Sequence, residues 1–410
     1  MFRVVQLGTD KLPCPPPKGG AIERYIYGVS RELAKNGIEV HIISLPGWEK
    51  SPMFKRIDNV IHHPVNLGYY KTIPYHPLLE LNFSKIFGKK ISKIIEKIEK
   101  DYGKIDFISS HFPTTSFGPL YFKRNNTEVV ILHHIHNTFG RKRISNLLMR
   151  IYLKYVLRRY DLVCGVSKFV KDWLINDLGL PQHRVTVLYN AIDCNIFKPF
   201  PMEYRERLRK LYGLEDYFIL LFVGRITPDK GLDHAIKALI LLKKEGFNKI
   251  RLLVVGPKGQ FYKTHENYYN NILRLITMYN LDNMVKYLGY FSISDLPSLY
   301  CISDVVLLPS LSEEACPSVL LESLACGRPV IAYDSGGVKE LLPSGGGLIV
   351  TKGDVRALAK AIKTYLLGNV KVDPNKISTY AISNFSYCSI AKCLIKLYKI
   401  LKEEYTKVKR

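Results

Sequence analysis

The chain has no apolar run long enough to cross a membrane. Its longest, such as Phe218–Val223 and Val305–Leu308, fall far short of the roughly 20 residues a spanning helix needs. It has no C-x-x-C pair. Cys14, Cys164, Cys194, Cys301, Cys316, Cys326, Cys388 and Cys393 are scattered, which argues against a zinc framework or a disulfide scaffold and fits a reducing compartment. There is no Asp-x-Asp pair, no solenoid-type repeat and no low-complexity tract. Acidic residues are few: 36 Asp+Glu against 60 Lys+Arg give a net charge of +24. The first residues, MFRVVQLG, read as a strand rather than a leader, so the expected location is cytoplasmic, with the cytoplasmic membrane face as a possible station.

What is present suits a globular protein of two domains. The chain has 410 residues, 47% hydrophobic and 23% charged. Both halves alternate strand and helix patterns. Arg3–Leu7 reads as a strand, followed by a Pro-rich loop and Gly19-Gly20. A helix pattern follows with Ile22, Ile26, Val29 and Leu33 on one face, closed by Asn36-Gly37. Further strands are expected at Ile38–Ser44, Phe107–Ser110, Val129–Leu132, Leu162–Val166 and Val185–Leu188. The pattern restarts with strands at Phe218–Val223, Arg251–Val255, Val285–Leu288, Val305–Leu308 and Val330–Ala332. Such alternation implies an α/β protein with two Rossmann-like domains built on parallel sheets. The join is expected near Phe197–Glu206, which gives domains 1–197 and 198–384.

In parallel sheets, ligands bind at the carboxyl ends of strands beside helix N-termini. After Phe218–Val223, Arg225 and Lys230 flank one loop, a pair suited to a diphosphate. After Val305–Leu308, Glu314 precedes a helix expected to start near Ser318, and Glu322 falls on its second turn. The amides of Val319 to Leu321 would be first-turn donors, and two carboxylates beside them can accept from sugar hydroxyls. Each feature alone also suits a solvated loop.

Together they carry more. The string EACPSVLLE, Glu314–Glu322, continued by SLACGRPVIA, closely resembles the E-x7-E signature of the retaining glycosyltransferases of family 4. VGRITPDKG, GGAIER, VSK, YNAID with F-x-P, and the DSGGVKE run resemble the family in the same order along nearly the whole chain. The resemblance implies the GT-B fold: two Rossmann-like domains facing across a cleft, with a C-terminal helix, residues 385–410, returning to the first. It implies that Arg225 and Lys230 hold the donor diphosphate, Glu322 the ribose and Glu314 the donor sugar. The backbone of Cys316, Pro317, Ser318 and Val319 would line the sugar and phosphate site, Gly256 and Tyr290 would border the base, and Gly19 and Gly20 would approach the phosphates. No metal or other cofactor is implied. Two departures stand out: Ala315 and Cys316 where the family often has Gly and an aromatic residue, and Asn190-Ala191 where Asn-Gly is usual.

A histidine after the strand ending at Leu132 is also a family feature, which puts His133, His134 and His136 on the acceptor side. His133, taken as the first residue past the strand, is the preferred catalytic candidate, and His111 is a second. A zinc site is not expected from this triplet.

The positive charge is concentrated. Residues 81–171 hold 18 basic and 6 acidic residues. Lys85, Lys89, Lys90, Lys93, Lys97 and Lys100 interleave with Phe83, Ile86, Phe87, Ile91, Ile94, Ile95 and Ile98. Arg141, Lys142, Arg143, Arg150, Lys154, Arg158 and Arg159 form a second cluster. This suits either a helix packed on its own sheet or contact with an anionic membrane surface; no nucleic-acid-binding pattern accompanies it. The expectation is a metal-independent hexosyltransferase using a nucleotide-sugar donor and a glycan or lipid-linked acceptor. A sugar-nucleotide epimerase and a non-catalytic basic membrane binder are the alternatives.

Overall fold

A computed structural model describes residues 1–17, 20–46, 55–66, 77–139, 144–258 and 263–408. The chain forms two compact units, Met1–Ala191 with Tyr387–Arg410, and Ile192–Ser386.

The first unit is built on strands β1 (Arg3–Leu7), β2 (Glu39–Ser44), β3 (Lys55–Ile57), β4 (Val60–Pro64), β5 (Phe107–Ser110), β6 (Val130–Ile135), β7 (Leu162–Gly165) and β8 (Val185–Val187), in the order β3-β4-β2-β1-β5-β6-β7-β8. Neighbours are parallel except β3 and β4 at one edge. This antiparallel edge is absent from the sequence reading. β4 is five residues long and contains His62 and His63, so no apolar period stands out. Its two-residue turn is Asp58-Asn59, both in the left-handed region with φ 52 and 64, as a tight hairpin requires.

Helix Ala21–Lys35 buries Tyr25, Ile26, Val29 and Leu33 on the same core as Val4, Val40, Ile42, Phe107, Val130 and Leu132. The C-terminal helix Tyr387–Val408 closes that core. It buries Ile390, Leu394 and Tyr398, and the Tyr398 ring stacks on Phe107 with centroids 4.2 Å apart. Gly28 is required there, since a Cβ would lie 2.2 Å from the Tyr387 ring.

The second unit carries β9 (Phe218–Val223), β10 (Ile250–Val255), β11 (Val285–Gly289), β12 (Val305–Leu308), β13 (Val330–Tyr333) and β14 (Gly347–Val350), all parallel, in the order β11-β10-β9-β12-β13-β14. β14 was not expected: it is four half-buried residues after a glycine run. Chain direction across the sheet reverses between β9 and β12, and in the first unit between β1 and β5. These switch points are where parallel sheets open a crevice for ligands.

The basic helix Pro77–Tyr102 buries Phe87, Ile91, Ile95 and Ile98 in the first unit, against helix Phe117–Asn125, and leaves Lys89, Lys90, Lys93, Lys97 and Lys100 in solvent. Its main apolar stripe is thus part of the protein's own core, in line with the first of the two readings of this stretch. Arg150 is likewise structural. It is buried and donates to the Phe139 carbonyl and to Asp177, each at 3.1 Å. Arg141, Lys142 and Arg143 lie outside the described residues. Among the described residues, no helix is long and apolar enough to cross a membrane.

Candidate active site

In the second unit, the loops leaving β9 and β12 are tied to each other. The amide of Leu311 donates to the Asp229 carbonyl at 2.8 Å. Gly231, with φ 69, starts helix Leu232–Lys244; a Cβ there would lie 2.0 Å from the Pro309 carbonyl oxygen. Only glycine allows both the left-handed backbone and this approach. The β12 loop is held from its other side by the amide of Gly337, which donates to the Glu314 carbonyl at 2.7 Å.

This tethering sets the side chains. Lys230 Nζ donates to Glu314 Oε1 at 2.6 Å, and Ser310 Oγ donates to the same oxygen at 2.6 Å. Lys230 and Glu314, 84 positions apart, therefore form a partly buried pair. Arg225 differs: its side chain is 61% exposed and 3.6 Å from Asp229. The two expected diphosphate cations thus sit in unlike settings, one neutralised by a carboxylate and one extended toward solvent. Ser310 was missed in the sequence, where it reads as one of several serines in a loop.

Helix Ser318–Ala325 follows Pro317, with Cys316 buried just before it. The amides of Leu320 and Leu321 turn back onto the Pro317 carbonyl at 3.1 and 3.4 Å. Of the three expected donors, only Val319 is not turned inward in this way, and Ser318 joins it at the helix start. Glu322 is on the second turn, as its spacing predicts, but is only 4% exposed and accepts from the Tyr300 hydroxyl at 2.9 Å. Tyr300 carried no sequence signal, standing in an apolar helix, Leu296–Ile302.

At the end of β10, the Gly256 amide donates to the Gly289 carbonyl at 2.8 Å, and its own carbonyl accepts from the Tyr287 hydroxyl at 3.0 Å. Tyr290 is exposed. Lys258 Nζ lies 4.3 Å from the Tyr269 ring centroid, so this rim is aromatic and cationic.

In the first unit, Gly20 caps helix Ala21–Lys35 with φ 69, while Gly19 lies outside the described residues. Glu23, in the first turn, is buried and accepts from the Thr9 hydroxyl; burial raises its pKa.

The histidines are arranged differently from the expectation. β6 continues through Ile135, because His133 and His134 pair in register with Val163 and Cys164 of β7. His133 is therefore a buried strand residue, its ring edge-on to Tyr160 at 5.1 Å. The first residue past β6 is His136, half-buried. Neither ring nitrogen of His133 or His134 has a hydrogen-bond partner among the described residues. His111, first past β5, joins His136: its Nε2 lies 2.8 Å from Gln6 Oε1, and its Nδ1 lies 3.3 Å from His136 Nε2. With Gln6 Oε1 accepting, His111 donates through Nε2 and accepts from His136 at Nδ1. That tautomer leaves His136 Nδ1 as an acceptor. Burial pushes His136 down to about 4 and His111 well below the usual imidazole range, so both are neutral near pH 7. His111, Phe112, His133, His134, His136 and Phe139 are among the residues lining a cavity of about 280 Å3. Gln6, hidden inside β1, was missed in the sequence.

Two α/β units with polar loops at the switch points of parallel sheets have the architecture of the GT-B fold. Residues 204–383 match the Glycosyl transferases group 1 model and residues 19–196 match Glycosyltransferase Family 4; between them they span most of the chain, which belongs to this glycosyltransferase family. The chain is 26% identical over 366 residues to a D-inositol 3-phosphate glycosyltransferase of Pseudarthrobacter chlorophenolicus, covering 85% of this chain and 83% of that one. It is 24% identical over 375 residues to a GDP-mannose-dependent alpha-(1-6)-phosphatidylinositol monomannoside mannosyltransferase of Mycolicibacterium smegmatis, covering 90% of each. The fold matches Anabaena HepE, solved in complex with UDP-glucose, with a TM-score of 0.73 at 20% identity over 97% of this chain and 100% of that one.

Proposed function

We infer that this glycosyltransferase moves a hexose from a UDP- or GDP-sugar to a hydroxyl of a glycan or lipid-linked glycan. The observation that carries this reading is the Lys230–Glu314–Ser310 contact at the β9/β12 switch point. A cation held by a carboxylate is ready to move onto a more highly charged anion, and a donor diphosphate is one. Lys230 then neutralises the diphosphate, and Glu314 is released to accept from sugar hydroxyls. Arg225 supplies the second cation, and the first-turn amides of Ser318 and Val319 add donors. Glu322 serves the ribose; Gly256 and Tyr290 border the base.

Transfer then needs stabilisation of the leaving diphosphate and an acceptor hydroxyl close to the anomeric carbon. Preorganised charges of this kind act most strongly in a water-poor site. The acceptor attacks from the face the phosphate leaves, with retention and without a protein nucleophile or a metal ion. His136, through the lone pair on Nδ1, takes the acceptor side, with His111 behind it. The names of the relatives support both donor bases: the Mycolicibacterium enzyme is GDP-mannose-dependent and acts on a lipid, and HepE was solved with UDP-glucose. A lipid-linked acceptor is met at a membrane surface.

The test is calorimetric titration of UDP- and GDP-sugars into the wild type and Lys230→Ala, followed by an assay for nucleoside diphosphate with and without acceptor. Tight binding of one donor, weakened in Lys230→Ala, with acceptor-dependent diphosphate release supports the reading. Epimerised sugar without diphosphate release refutes it.

A further inference from the structure

Helix Ile144–Leu157 has one face in the core, where Met149, Leu153, Val156 and Leu157 are buried. Its opposite face is also apolar. Leu147, Ile151 and Tyr155 follow one another at four-residue spacing and are 49, 59 and 53% exposed. The solvent face of a globular helix is ordinarily polar, and a continuous stripe of large apolar side chains there marks an interaction surface.

The charges around the stripe have one sign. Lys154, Arg158 and Arg159 are exposed beside it, and the Arg159 guanidinium lies 3.8 Å from the Tyr155 ring centroid. Arg124, from helix Phe117–Asn125, lines a cavity of about 230 Å3 together with Tyr155 and Arg159. From Phe107 to Tyr160 the sequence holds nine basic residues and one acidic residue, Glu128. Glu128 is paired with Lys104. The helix itself has no acidic residue. Helix Pro77–Tyr102 offers no such combination, because its lysines are exposed while its main apolar stripe is buried.

We propose that the Leu147–Ile151–Tyr155 stripe docks on an anionic lipid bilayer. The three apolar side chains enter the boundary between headgroups and acyl chains, and Arg124, Lys154, Arg158 and Arg159 meet lipid phosphates. A linear apolar stripe edged by cations, with a tyrosine on its basic side, suits a planar anionic interface. Nucleic acid offers no comparable apolar plane. The transferase reading enters only through the acceptor: such docking brings a lipid-linked hydroxyl to the enzyme. The binding is measured without turnover, so either idea can fail alone.

The experiment is co-sedimentation of the full chain with vesicles of phosphatidylcholine alone or mixed with phosphatidylglycerol. The wild type should bind the mixed vesicles and release them as salt is raised, because screening shortens the attraction. The triple variant Leu147→Ser, Ile151→Ser, Tyr155→Ser should lose about tenfold or more in binding, since insertion of apolar area is removed. Arg158→Gln with Arg159→Gln should bind several-fold more weakly and with a shallower dependence on salt, because fewer charges contribute the attraction that salt screens. Lys89→Gln with Lys93→Gln should lose less than either. Melting temperature and donor binding serve as controls for folding. Undiminished binding by a folded triple variant overturns the proposal. So does failure of the wild type to bind mixed vesicles, which would leave the stripe to an acidic protein partner.

Discussion

Lys230 Nζ sits 2.6 Å from Glu314 Oε1, so the cation assigned to the donor diphosphate already has an anionic partner. The donor must compete for it. Arg225 bears no comparable restraint, with its guanidinium 3.6 Å from an exposed Asp229. The two cations should therefore respond differently to mutation.

Lys230→Ala and Arg225→Ala should each lower turnover by about tenfold to a hundredfold, the usual cost of losing one contact to a developing anion. Only Lys230→Ala should also lower stability, by about 1–3 kcal/mol, because it leaves the Glu314 carboxylate with Ser310 alone. Steady-state kinetics beside denaturant titration distinguishes them; equal stability loss in both variants contradicts the pairing.

Glu314→Gln keeps the size of the side chain and removes the charge competing for Lys230. Free nucleoside diphosphate should bind about threefold to tenfold more tightly, while transfer slows about tenfold or more as the sugar contact weakens. Opposite movement of product affinity and rate is the signature. Weaker product binding in this variant would remove Glu314 as a competitor.

The buried histidines give a pH prediction for the first unit. Burial holds His133 at about 3 and His136 at about 4. In the unfolded chain they titrate near the ordinary value of about 6.5. Below that value the unfolded state binds more protons than the folded one. Stability from this cluster is complete above roughly pH 6.5 and is lost as pH falls toward 4 and below. The unfolding midpoint should drop through that window, and His133→Leu should shallow the drop. His133→Leu should also keep near-normal turnover, since the residue is fully buried within β6, whereas His136→Ala should lose about tenfold or more. A severe loss of turnover in folded His133→Leu would return the catalytic role to that residue.

Donor binding should survive EDTA unchanged. The cationic role is assigned to Arg225, Lys230 and helix amides, so calorimetry with and without chelator should give the same affinity. A requirement for magnesium or manganese contradicts this mechanism.

Tyr398→Ala should destabilise the first unit by about 3–5 kcal/mol, typical of emptying a large aromatic site. The ring is fully buried on Phe107, and the same helix places Lys402 2.7 Å from Asp106. Truncation before Tyr387 should be more severe. Full thermal stability in either variant is inconsistent with this packing.

The sequence alone determined the α/β alternation of both units, the strand ends that carry loops, and the glutamates spaced to straddle a helix start. These are local properties: side-chain period, glycine and proline punctuation, and short spacings. The edge hairpin of β3 and β4 escaped it because β3 begins Lys-Arg and β4 carries His62 and His63, and β14 because it is half-buried behind a glycine run. Tertiary structure alone decided where β6 ends. The ladder with β7 carries it through His133 and His134, and so gives His136, not His133, the position past the strand. Register is set by the neighbouring strand, which no local pattern reveals. The same holds for the pairs that join distant positions: Lys230 with Glu314, Tyr300 with Glu322, and Gln6 with His111. It holds also for the two basic helices. The first reads as amphipathic and cationic and the second only as a basic cluster, and packing decided that one turns its main apolar stripe inward while the other leaves Leu147, Ile151 and Tyr155 in solvent.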